Sequence, residues 1–168
     1  MRAAIAIAPL ALLASSCGGK VDPVAKTLAQ SSEHVTLRGT VTSNGTTQAF
    51  TAAGAFTNHP DQGMMTMHFG PQTVHEVING SRVYIRSTAL KLTKGKSWLL
   101  VNATRDTVGT QTPTHMLRHG YPMSVKDGLV RHIEIKTKTL TISVDFSRFG
   151  EPVHVHVPSA ATTTREGT

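Results

Sequence analysis

Val35, Leu37 and Val41 alternate with Thr36, Arg38 and Thr40, the period-two pattern of a strand with one apolar face. The pair Asn44-Gly45 in "SNGT" follows and suits a tight hairpin. The return strand covers residues 48–56 and places Phe50, Ala52, Gly54 and Phe56 on one face. "NHPDQG" (residues 58–63) reads as a loop, and "MMTMHF" as the next strand, with Met65, Met67 and Phe69 together. Residues 72–78 and 82–87 pair through Asn79-Gly80, a second Asn-Gly hairpin. "SWLLV" (residues 97–101) is apolar on both faces, which predicts a central, covered strand with Trp98 largely buried. "PMSVKDGLV" reads as a further hairpin. Leu140, Ile142, Val144 and Phe146 alternate cleanly with polar residues, and Val153, Val155 and Val157 repeat that pattern.

One segment has a different period. Asp22 is a capping residue and Pro23 suits a first helical turn. Val24, Ala25, Leu28 and Ala29 recur at helical spacing, which predicts an amphipathic helix over residues 23–32. The chain thus reads as mainly β, with eight to ten antiparallel strands and one N-terminal helix. So long a meander must curl, and its concave apolar face needs a cover. The helix is one candidate and a lipid is another.

The first residues read as an address rather than as fold. Arg2, the apolar residues 3–13 and the small Ala14, Ser15 and Ser16 have the order of a secretory signal peptide. The apolar run is shorter than the roughly 20 residues of a spanning helix. Cys17 is the only cysteine in the chain, so it has no partner for a disulfide or a thiolate metal site. "LASSC" resembles a bacterial lipobox, although Ala14 stands where an aliphatic residue is usual. The resulting division is a signal peptide (1–16), a lipidated flexible leader (17–21), one domain (22–158) and a disordered tail (159–168). Cleavage near Ser16 with a free thiol is the alternative.

Composition narrows the partners. The 17 Lys and Arg against 10 Asp and Glu give a formal charge of +7, which suits anionic headgroups or acidic wall polymer. No basic cluster with interleaved aromatics marks a nucleic-acid site. Nine histidines invite a search for metal. His154 and His156 share a strand face, but no third ligand has matching spacing, so a solvated strand row is the plainer reading. His115 and His119 flank an irregular stretch and give no better site. No nucleophile–base motif and no phosphate loop occur, so neither an enzyme nor a cofactor is expected. Met64, Met65 and Met67 fill a core or line an adaptable apolar site.

Several blocks carry a family resemblance. "EVINGSRVYIRS" followed by "GKSWLLVN", then "DGLVRHIEI" and "VDFSRFGEPVHVHVPSA", resemble in order and spacing the LppX/LprG-type lipoproteins of the LolA/LolB-like half-barrel superfamily. Asn102 departs from that pattern, which often has Asp there. Only residues 103–121 separate the Trp98 strand from the next hairpin, where the family generally carries more of its roof. The resemblance implies a half-open β-barrel with the N-terminal helix packed on its concave face. It also implies an apolar cavity for acylated lipid or lipoprotein, and no catalytic residue or metal. The expected lining is Leu37, Phe50, Met65, Met67, Tyr84 and Trp98, with Arg82 or Arg86 at the rim. The expected protein is a monomer anchored through Cys17 on the outer face of the bacterial cytoplasmic membrane. The alternative is a structural or regulatory surface lipoprotein of the same fold without a lipid ligand.

Overall fold

A computed structural model describes residues 21–102 and 112–165. The expected signal peptide, Cys17, nearly all of the leader, part of the 103–121 segment and the last three tail residues lie outside the described residues.

The described residues form one curved, unclosed ten-stranded sheet. Its strands are β1 (Ser32–Ser43), β2 (Thr46–Asn58), β3 (Asp61–Phe69), β4 (Gln72–Asn79), β5 (Arg82–Ser87), β6 (Trp98–Asn102), β7 (Met123–Lys126), β8 (Leu129–Lys136), β9 (Leu140–Ser147) and β10 (Thr163–Arg165). Their spatial order is β10-β6-β5-β4-β3-β2-β1-β9-β8-β7. Every pairing is antiparallel except that of β10 with β6. Asn44 and Gly45 both take positive φ in the first hairpin, as do Asp127 and Gly128 between β7 and β8, the backbone that such turn pairs favour.

Helix α1 (Pro23–Leu28) begins as the sequence predicts, with the Asp22 carboxylate accepting from the Val24 amide at 2.9 Å. It stops four residues earlier than expected because β1 already starts at Ser32. Val24 and Leu28 pack on the core that covers the inner, concave face of the sheet. That core includes Val35, Leu37, Phe56, Ile78, Ile133 and Val144. Two rings lie over glycines on this face. A Cβ at Gly63 would overlap the Phe56 ring, and one at Gly39 would overlap the Phe50 ring and the Thr141 carbonyl. Glycine at a strand position is costly by itself; here it lets a large ring fill the hollow of a curled sheet.

Five expectations differ from the structure. Residues 58–63 are no loop: Asn58 ends β2, Asp61 begins β3, and only His59 and Pro60 turn between them. The 97–101 segment is no central strand. β6 lies second from the end of the sheet, and Trp98 is only half-buried, because apolar character on both faces does not fix a strand's place in the order. Residues 153–157 form no strand. The short last strand comes later, at Thr163–Arg165, in a segment expected to fray. A second helix, α2 (Pro113–Arg118), occupies the stretch read as irregular.

Candidate apolar binding site

The inner face holds an apolar cavity of about 370 Å³. Four of the expected lining residues, Leu37, Phe50, Met65 and Met67, meet there. Strand register is the reason. Leu37 and Met67 both pair with Ala52, and Met65 pairs with Gly54. Small residues on β2 therefore stand between large ones on β1 and β3, so the side chains line a hollow rather than fill it. Phe50 stacks on Phe69 with ring centroids 5.2 Å apart. Val41, Leu140 and Ile142 complete the walls, Met116 of α2 contributes from above, and Thr137 and Thr139 supply hydroxyls. No lining residue is titratable, so the cavity offers apolar contact and a few neutral hydrogen-bonding groups.

Tyr84 and Trp98 do not join this set. Tyr84 pairs with Val77 and Leu100, on the face opposite to Val83 and Ile85, which belong to or pack on the inner core. A one-residue step in a strand exchanges faces, and both aromatic rings fall on the outer side. Arg86 shares that side, with its guanidinium 5.0 Å from the centre of the Trp98 ring. Neither Arg82 nor Arg86 lines the cavity.

Sequence reasoning missed Met116, and a signal for it was present. Thr112-Pro113 repeats the cap-then-proline pattern of Asp22-Pro23, and the Thr112 hydroxyl accepts from the His115 amide at 3.4 Å. Helix α2 is also fixed by a polar network at the β2–β3 end of the sheet. Thr114 donates to Asn58 Oδ1 at 3.1 Å, and Thr112 donates to Asp61 Oδ2 at 3.4 Å. Asn58 Nδ2 donates to the Gln30 carbonyl at 3.0 Å and to Glu33 Oε2 at 2.7 Å. Glu33 is fully buried, and loss of water pushes its carboxyl up to about 7 against the pull of Asn58. Asp61 is raised in the same direction, chiefly by burial. Glu76 is the other buried acid among the described residues. It pairs with Met65 and Ile85 on the inner face, its Oε1 has no hydrogen-bond partner, and burial alone pushes it up to about 7.

Among the described residues, no group of three or more His, Cys, Asp or Glu could hold a metal ion. His154 and His156 are exposed on a segment outside the sheet. The His115 and His119 rings are in tilted contact, with centroids 4.0 Å apart and planes at 45°. No described helix is long and apolar enough to cross a membrane.

The curved open sheet has a solved counterpart: LprF from Mycobacterium bovis. The chain has the fold of LprF. The two are 12 % identical over 84 % of this chain and 95 % of LprF, with a TM-score of 0.51. No protein-family model matches the chain, and no curated protein matches it by sequence. The half-barrel expected from the sequence blocks is thus present, and it is shared with LprF at an identity where sequence carries little of the likeness.

Proposed function

We propose that this protein is an exported envelope lipoprotein, anchored through acylated Cys17, that binds the acyl portion of a lipid or lipoprotein in its inner cavity. The carrying observation is the cavity itself: about 370 Å³, bounded by Leu37, Phe50, Met65, Met67 and Met116, with no charge along its wall. This volume is within the range of small-molecule sites, roughly 300–1,000 Å³. Methionines from β3 and from α2 adapt to chains of different shape. Binding is driven by burial at about 25 cal/mol per Å², less the cost of ordering the chain. The sequence resemblance to LppX/LprG-type lipoproteins and the LprF fold support the same reading. A structural lipoprotein without ligand is favoured by one observation only: Phe50, Phe56 and Leu117 already bury much of the inner face with the chain's own side chains.

The test is titration of a fluorescent fatty-acyl probe into a soluble Cys17→Ser form. Saturable binding, weakened at least tenfold by Met67→Asp with the circular dichroism spectrum retained, is expected. A folded protein that takes no probe, and that carries no acyl species in native mass spectra, ends the lipid-binding reading. Wild-type protein found in the membrane fraction and released by Cys17→Ser tests the anchor separately.

A further inference from the structure

The outer face of the sheet carries a second recess, unrelated to the apolar cavity. Two adjoining grooves of about 530 and 700 Å³ share His75 and Arg86. The larger runs by Lys91 and Lys96 in the β5–β6 connection. The other crosses β1 to β4, past Ala53, Ala55 and Thr66, to His34 and Arg148. The floor is low because β2 presents alanines here, and the ends are cationic.

The charges are unequal in availability. Lys96 is held by the carbonyls of Ala160 and Ala161, at 3.2 and 2.9 Å, and His34 lies 3.7 Å from the Glu151 carboxylate. Among the described residues, no side chain forms a hydrogen bond or ion pair with Arg86, Lys91 or Arg148. Arg86 instead stacks on Trp98, which fixes the guanidinium plane while its edge stays free to grip an oxyanion in two places. Glu76, the acid along the floor, turns its side chain to the inner face with Met65. Arg86 is on β5 and Arg148 follows β9, five strand spacings away, so these cations are on the order of 24 Å apart across the sheet.

We propose that this outer groove binds a linear anionic glycan, with Arg86 on its Trp98 platform and Arg148 contacting acidic groups several sugars apart. Three features of the groove favour a glycan over other polyanions. The groove lies on the face of paired strands, where backbone groups are already used in the ladder, so an acidic peptide finds no main-chain partners. It is recessed, so a flat bilayer does not reach its floor. Thr36, Thr66 and Ser147 add hydroxyls between the charges, which suits a ligand that is itself rich in hydroxyls.

The experiment uses the soluble Cys17→Ser chain and isothermal titration calorimetry with oligogalacturonate at low salt, with Trp98 fluorescence as a second readout. Trp98 is the only tryptophan. Saturable binding is expected, weakened at least tenfold by the Arg86→Gln, Arg148→Gln double variant. Lys126→Gln with Lys136→Gln removes the same charge elsewhere and should stay within twofold of wild type. Both pairs are exposed, and thermal unfolding verifies that each folds. The proposal is overturned if wild type binds no anionic glycan, or if the control pair loses as much as the groove pair. It is equally overturned if polyglutamate or phosphatidylglycerol vesicles bind more tightly than the glycan at matched charge.

Discussion

The Thr27 hydroxyl accepts a hydrogen bond from the Val130 amide at 2.8 Å and donates to the Pro23 carbonyl at 2.7 Å. One fully buried side chain thereby joins α1 to the start of β8, 103 residues away in the chain. Lys26 adds a second tie, Nζ to the Asp127 carbonyl at 2.8 Å. A six-residue helix is too short to be stable alone, so its position depends on such docking. Thr27→Val keeps the shape and leaves the Val130 amide buried without a partner. It is expected to cost about 1–3 kcal/mol in urea unfolding, whereas Lys26→Met, on the exposed side, should change stability by less than about 0.5 kcal/mol.

Gly63→Ala should be among the most damaging single-methyl changes. The added Cβ meets the ring of Phe56, which is 2 % exposed and has nowhere to move. Overpacking of this kind costs about 1–3 kcal/mol or more. A double variant with Phe56→Leu should recover part of that loss, and additive losses would contradict the ring-over-glycine packing.

The two buried glutamates predict a falling stability between acid and neutral pH. Glu33 and Glu76 have folded values near 7 against 4.5 when solvated. Each raised value favours the protonated folded form, so its contribution is complete below pH 4.5 and is lost as pH rises through about 7. Glu76→Gln should therefore match wild type near pH 4.5 and exceed it at pH 8, by on the order of 2 kcal/mol. Equal melting curves at pH 8 would mean that the Glu76 carboxyl finds a partner in solution.

The outer face carries a linkage of both signs, His132 in the same direction as the glutamates and Asp145 opposite to them. His132 Nδ1 lies 2.7 Å from Asp145 Oδ1 and Nε2 lies 2.9 Å from Glu134 Oε1, while Arg38 reaches Asp145 Oδ2 at 3.3 Å. The hydrogen bond to Asp145 raises His132 above 6.5, and the same bond lowers Asp145 below 3.8. The histidine's contribution is present below pH 6.5 and is lost as pH rises through its raised value. The aspartate's is present above its solvated value and is lost as pH falls through its lowered one. His132 should titrate above 6.5 by NMR, and Asp145→Asn should return it toward that value. Exposed pairs of this kind are worth about 0–1 kcal/mol, so the NMR shift is the sharper readout.

Met116→Ala tests the roof of the apolar cavity. Met116 is buried and packs with the inner core, so truncation should cost about 2–5 kcal/mol. It also enlarges the hollow, and acyl-probe binding per folded molecule should be retained. Met116→Trp, which fills the hollow, should lower probe affinity at least tenfold.

The sequence alone determined most strands, the hairpin at Asn44-Gly45 and the start of α1, because strand period and cap chemistry are local. It also determined that Leu37, Phe50, Met65 and Met67 share a face, since each lies on an unambiguous alternation. The curled half-barrel was legible from the order of its blocks. Tertiary structure decided the rest. Trp98 lies on a strand apolar on both sides, where alternation gives no direction and only the register with β5 sends it outward, whereas Tyr84 sits between Arg82 and Arg86, opposite to Val83 and Ile85. The place of β6 near the sheet's end follows from pairing with β10, a contact between residues more than sixty positions apart. Met116 comes over the cavity because Asn58, Asp61 and α2 form one polar network, which no single segment displays. The cationic groove exists only because β1 through β5 bring His34, His75 and Arg86 onto one outer surface. Patterns within a strand are set by neighbours two residues away, but cavities are set by which strands lie side by side.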